Sequence, residues 1–344
     1  MKPARQSNIE LLRILTMCGV VLLHYNGGAG NALELVQPNT VNYWILMAVE
    51  ALCICAVNVF LLISGYFGCT SQRRDPIRAL ELLVQVVAFQ VAVYLPGALL
   101  GGSFSFGGLA RNLIPTNYFV VLYIVVFLLS PYINILLKQL DAKQLRSLVI
   151  LSLVLVSVLP TATDLLEAVT VKSFPGLNTI GLHGDGNGYT AINFLLMYVL
   201  GAYLRMAPAQ GRKSWHLIVA GVISAGAVLV LSLQHPQIAR AYCNPAVILL
   251  AVCVFELFRG FTVQSKVVNH LAKAAFTVFL FHTYPLSKLN VTRAVAGSPV
   301  YLLVHMLLAS VGIYVISWVV YLVYDWVTKP VFRLLRKLLP KNEQ

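Results

Sequence analysis

The first long apolar run, Leu11 to Tyr25, reads LLRILTMCGVVLLHY, and the fold turns on how it is read. It is apolar enough to enter a bilayer, yet it holds Arg13 near its start and His24 near its end. A charged side chain at the centre of a membrane helix costs ~2.5–3.5 kcal/mol on insertion scales, so a run that keeps one needs a reason. The two residues are 11 positions apart. At 100° per residue they project from one helix face, separated by ~16 Å along the axis. Two readings fit. In the first, Arg13 snorkels to the near interface and pairs with Glu10 one turn back, while His24 is an interfacial polar group. In the second, both are functional groups held at different depths.

The composition around this run fixes the class. The chain has 344 residues, of which 59% are hydrophobic and only 11% charged. Its mean hydropathy is +0.80. Too little polar surface remains for a soluble protein of this size, so the chain is read as an all-α, polytopic membrane bundle forming one domain over 1–344. At the ~20 residues needed to cross a bilayer, ten spans are expected. They are 9–25, 43–67, 78–100, 117–137, 145–166, 189–206, 215–233, 242–258, 268–285 and 299–326. Lys2 and Arg5 precede the first span and small residues follow it, as in a signal peptide, but Arg13 and the many later spans favour a retained anchor. No soluble domain is expected.

The basic residues test that topology. Eighteen Lys and Arg fall on the side of the N-terminus and five on the other, with Arg13 and Lys273 inside spans. The positive-inside rule therefore puts both termini in the cytoplasm. The net charge of +13 is then a topological signal, and no nucleic-acid partner is called for. Six cysteines lie in or beside apolar segments without metal-ligand spacing and read as small buried hydrophobes; no metal is expected. The longest outer connection, 167–188, is rich in glycine and turn residues, and its HGDGNG fragment reads as a turn. Phosphate-loop, HExxH and GxSxG motifs are absent.

Several further polar residues lie at membrane depth. The ninth span reads VFLFHTYPL and brings His282 near the outer end, at a depth similar to His24. Two histidines at one depth suit a shared polar cavity. Glu50, in the outer half of the second span, is either a structural carboxyl or a group that orients an imidazole and raises its basicity. Toward the cytoplasm, Ser64-Gly65-Tyr66-Phe67 offers two hydroxyls and a glycine for close packing or a bend. Arg73, Arg74 and Arg78 follow, with Asp75-Pro76 reading as N-cap and first helical residue. An arginine cluster there suits a phosphate-bearing ligand, and positive-inside bias accounts for it equally well.

With these residues placed, the chain resembles the acyltransferase family 3 of bacterial membrane acyltransferases over nearly its whole length. The resemblance rests first on the spacing of Arg13 and His24. It rests also on VNVFLLISGYF (57–67), NYFVVLYIVVFLLSPYIN (117–134), GYTAINFLLMYVLGAYLR (188–205) and FLFHTYPL (279–286). Many members carry an R-x-x-R pair entering the third span, where this chain has Arg73, Arg74 and Arg78 with Pro76 between them.

The resemblance implies transfer of an acyl group, most often acetyl, from cytoplasmic acyl-CoA to a sugar hydroxyl. The acceptor it implies is a cell-surface or exported polysaccharide or its lipid-linked precursor. It implies a catalytic role for His24 and an essential one for Arg13. Beside these, Glu50 and His282 are expected to assist, and Arg13, Ser64, Tyr66, Arg74 and Arg78 to hold the donor. The expected partners are acyl-CoA, the glycan acceptor and membrane lipid, in the bacterial inner membrane. The competing classes are a transporter or flippase for a saccharide or other polar solute, and a membrane glycan polymerase. Against a transporter, no repeated halves and no matching Gly/Pro-broken spans are seen.

Overall fold

A computed structural model describes residues 6–71, 75–101, 103–174, 188–206 and 214–338. The described residues are 82% helical and contain no strand. In a bilayer every backbone N–H and C=O must find a partner within the protein, which leaves a helical bundle as the solution for such a sequence. Among the described residues, seven helices are long and apolar enough to cross a membrane: Ser7–Asn26, Val41–Gly68, Pro76–Leu100, Tyr118–Gln139, Ala142–Thr170, Ser214–Ser232 and Pro299–Leu338. The other three expected spans are shorter or broken. Ala191–Met206 has 16 residues and Pro245–Arg259 has 15. The ninth is not one rod: Lys266–Leu271 passes through the 3-10 turn Ala272–Ala274 into Ala275–Phe281 and Thr283–Leu286.

Labels follow chain order: α1 Ser7–Asn26, α2 Val41–Cys53, α3 Ala56–Gly68, α4 Pro76–Leu100, α5 Tyr118–Gln139 and α6 Ala142–Thr170. After these come α7 Ala191–Met206, α8 Ser214–Ser232, α9 Pro245–Arg259, α10 Ala275–Phe281 and α11 Pro299–Leu338.

Local chemistry sets several ends. Asp75 caps α4 by accepting from the Ile77 N–H at 2.9 Å, with Pro76 at the first helical position, as expected. Asn117 caps α5 and Asn244 caps α9, the latter followed by Pro245. Asp141 and Gln144 form a reciprocal capping box on α6. Within α6, Val154–Val158 widens to a π-turn just ahead of Pro160, whose missing N–H cannot continue the ordinary ladder.

The helices divide into an inner and an outer set. The most apolar stretch of α2–α3 is 67% buried and that of α1 56%, against 22% for α4 and for α8. Helix α1 packs against α2, α3, α9, α10 and α11 and so runs through the middle of the bundle. The outer helices turn Leu307, Leu308, Val222, Ile223 and similar side chains outward, as a lipid-facing surface requires.

The tightest crossing is between α3 and α7. A Cβ added at Gly65 would collide with the Tyr198 carbonyl, and one at Gly201 with the Leu62 carbonyl. Gly65 therefore serves close packing. Without these two glycines the backbones would separate and α7 would lose its seat.

Helix α11 has 40 residues, about 60 Å of helix, twice the apolar thickness of a bilayer. Its last turns reach the start of α4, where Arg336 bonds Asp75 at 3.2 Å and Glu81 at 2.5 Å.

Candidate active site

Both ends of the bundle carry polar constellations, one of histidines and one of arginines.

At the first, the last turn of α1 meets the end of α10. The rings of His24 and His282 lie 4.5 Å apart, edge to face at 75°. His24 Nδ1 bonds the Val20 carbonyl at 3.0 Å, one turn back on its own helix. His282 Nδ1 bonds the carbonyls of Val278 at 3.0 Å and Phe279 at 2.8 Å. A carbonyl oxygen only accepts, so in each neutral imidazole the proton sits on Nδ1 and the lone pair on Nε2. His282 is buried and its Nε2 has no partner. His24 is half-buried. The pair thus presents two imidazoles in the tautomer a base needs, oriented by backbone that neither can lose without unwinding its helix.

The chain after His24 is shaped to cover it. Gly28 adopts φ +54°, a left-handed conformation natural to glycine, and its backbone lies beside the His24 ring. The Gly30 N–H bonds the His24 carbonyl at 2.9 Å, turning the chain back over the helix end.

Glu50 does not hold either histidine. It accepts from Asn26 Nδ2 at 2.9 Å and faces Arg240 at 3.8 Å. Asn26 also donates to the Leu46 carbonyl at 2.9 Å, tying α1 to α2. The expectation that Glu50 orients an imidazole directly is therefore corrected: the His24 Nδ1 proton is already taken by Val20, and the carboxylate is drawn to a cation instead. Glu50 instead holds Asn26, two residues beyond His24 on the same helix. Several other deeply buried polar atoms near the inner helices lack partners, among them Asn26 Oδ1, Asn58 Oδ1 and both side-chain atoms of Asn193.

The arginine end is built differently. The start of α1 is fixed there by Asn8, which donates to the Phe258 carbonyl at 2.8 Å, and by Ser7, which meets Ser265. Arg13 makes a long ion pair with Glu10 at 3.9 Å and keeps about a third of its side chain exposed. Ser64 donates to the Phe60 carbonyl one turn back. Tyr66 accepts from Arg205 Nη1 at 3.1 Å. Arg78 is bound to Glu81 at 2.9 Å, in a cluster that also holds Asp75 and Arg336. Among the described residues Arg78 is thus one of two guanidiniums set against two carboxylates. Arg73 and Arg74 lie outside the described residues.

The structure brings His24 to His282 at one end, and Tyr66 to Arg205 at the other, with Arg13 between the two on α1. A family model for acyltransferase family 3, described as an acyltransferase domain, matches residues 6–323. The chain belongs to that family. No curated protein and no solved structure matches it. Membership makes this a membrane acyltransferase with a multi-pass helical domain.

Sequence reasoning missed Asn26, Arg240, Arg205 and Arg259. Arg240 and Arg259 entered only as counted charges in the orientation argument, and Arg205 only as one of those charges and as the last residue of the 188–205 segment. Asn26 carried one usable signal, a polar amide two residues beyond His24.

Proposed function

We propose that this acyltransferase moves an acetyl group from cytoplasmic acyl-CoA to a sugar hydroxyl on the opposite side of the bacterial inner membrane, both of its termini being cytoplasmic. The acceptor is a cell-surface or exported polysaccharide or its lipid-linked precursor. The observation that carries the reading is the His24–His282 pair, with each Nδ1 proton held by its own helix and each Nε2 left as a base.

His24 is the general base. Its Nε2 takes the proton of the acceptor hydroxyl as the oxygen attacks the thioester carbonyl. The new C–O ester bond forms, the C–S bond breaks, and the sulfur leaves as the CoA thiol with the proton returned from the imidazolium. His282, too buried to serve as an entry point, positions the hydroxyl or carbonyl against His24. Arg13 stands ~16 Å from His24 along α1, a separation that an extended pantetheine arm spans. Donor phosphates at the basic end and a thioester near the histidines then follow from one extended substrate.

Reconstituted vesicles supplied with acetyl-CoA and a glycan acceptor test this. Wild type should release CoA thiol together with acylated glycan, and His24→Ala should remain folded in the membrane while releasing neither. Near-normal acylation by His24→Ala would remove His24 from the mechanism. Solute movement with no thiol release would replace the reading with a transporter.

A further inference from the structure

Tyr66 is flanked by two arginines from different helices. Arg205, on the last turn of α7, donates to its hydroxyl, and the guanidinium carbon lies 5.0 Å from the ring centroid. Arg259, at the end of α9, has its guanidinium carbon 5.8 Å from the same centroid. Phe255 closes another side, edge-on at 5.2 Å. The glycine crossing explains how this meets: Gly201 lies against the backbone of Leu62 and Tyr66, and Arg205 is one turn beyond Gly201.

The two arginines are not equivalent. Arg259 is committed, donating to the Leu204 carbonyl at 2.6 Å and pairing with Glu256 at 2.6 Å. Arg205 is exposed and has no acidic partner among the described residues. Among the described residues its only polar contact is a neutral phenol, with no carboxylate to balance its charge. With Arg259 already paired to Glu256, Arg205 is the guanidinium of the two that an incoming anion can engage. Among the described residues the other candidate, Arg78, is already paired with Glu81, beside the Arg336–Asp75 pair.

We propose that Arg205, held by Tyr66, is the phosphate-binding residue for the acyl-CoA donor. Its planar fork suits a phosphate. The same end of the bundle holds the start of α1, since Asn8 bonds Phe258 beside Arg259, so a donor anchored at Arg205 lies at the foot of the helix leading past Arg13 to His24. The inference rests on the acyl-CoA reading above and assigns its anionic anchor to Arg205, the last residue of the 188–205 segment, beside the already expected Tyr66.

Binding of acetyl-CoA and of its analogue lacking the 3′-phosphate, measured by calorimetry on purified protein in nanodiscs of neutral lipid, tests it. Wild type should prefer acetyl-CoA. Arg205→Gln should bind it about 10- to 100-fold more weakly, the loss of one charge-assisted contact, and discriminate less between the two ligands. Arg205→Lys should recover part of the affinity, and Tyr66→Phe should weaken binding by a smaller factor. Unchanged binding by Arg205→Gln, with wild type binding normally, overturns this proposal alone. Wild type that binds no CoA overturns the donor reading and this anchor with it. If Arg205→Gln instead loses affinity for phosphatidylglycerol vesicles while keeping CoA, the site belongs to a lipid headgroup and the proposal falls.

Discussion

The histidine end and the arginine end of the bundle reach order by opposite routes. At the histidine end, His24 and His282 are held by carbonyls three or four residues back on their own helices, and the pair is buried between α1 and α10. At the arginine end, Arg205 meets Tyr66 across 139 residues of sequence, and Arg336 reaches Asp75 across 261. The first arrangement fixes tautomer and ring angle, which matter for proton transfer. The second assembles charge at an exposed rim, which matters for catching an anion. Substitutions at the first end should therefore cost turnover, and those at the second should cost donor affinity or stability.

The largest break in this contrast is expected from His24→Ala. General acid–base catalysis contributes ~10²–10⁴-fold, so kcat should fall by about that factor with little change in the KM for acyl-CoA. His282→Gln removes the second imidazole but can still hydrogen-bond, and should cost less, about 10- to 100-fold in kcat. Equal losses for the two would assign them one joint role, and a change confined to KM would move both out of the chemical step.

Gly201→Ala tests whether the arginine end depends on the helix crossing. The added Cβ meets backbone of Leu62 and Tyr66, which cannot rotate away, and such overpacking costs ~1–3 kcal/mol. The apparent Tm in detergent should fall by several degrees, with donor affinity falling alongside as Arg205 moves off Tyr66. Gly226→Ala on α8 is the control, since a Cβ there meets nothing within 4 Å. A Gly201→Ala protein as stable as that control would show that the close crossing is dispensable.

Much of the histidine end was legible in the sequence, and the reason is geometric. Helical periodicity places Arg13 and His24 on one face, and counting from the span ends brings His282 to a similar depth. The arginine end was not legible, because its contacts join residues far apart in the chain. Arg78 looked like an open cation until Glu81 and Arg336 were seen to surround it. Hydropathy likewise read 268–285 as one rod, since a window average does not sense the 3-10 turn at Ala272–Ala274 that interrupts it. The direct role expected for Glu50 failed for a related reason. Its depth was read correctly, but Arg240, 190 positions later, was counted only as a loop charge.

That long-range pair predicts a smaller effect. Glu50→Gln keeps an oxygen for Asn26 and removes the counter-charge of Arg240, whose side chain is only 24% exposed. Leaving a partly buried cation unpaired is destabilising, so the apparent Tm should drop by a few degrees and activity by a few-fold. Restoring both with Glu50→Gln combined with Arg240→Gln would locate the cost in the stranded charge. A loss as large as that of His24→Ala, not recovered in the double variant, would return Glu50 to a direct catalytic role.

The smallest effect separates the two readings of Arg13. An ion pair at 3.9 Å with a third of the arginine exposed contributes under about 1 kcal/mol, so neither Glu10→Gln nor Arg13→Gln should unfold the protein. If Arg13 serves only as the partner of Glu10, the two substitutions remove the same interaction and should leave the same modest phenotype. If Arg13 steadies the donor on its way from Arg205 to His24, the phenotypes diverge. Arg13→Gln should then raise the KM for acyl-CoA severalfold, whereas Glu10→Gln, by freeing the cation, should leave it unchanged or lower it. Matching KM values for the two variants would confine Arg13 to the structural pair.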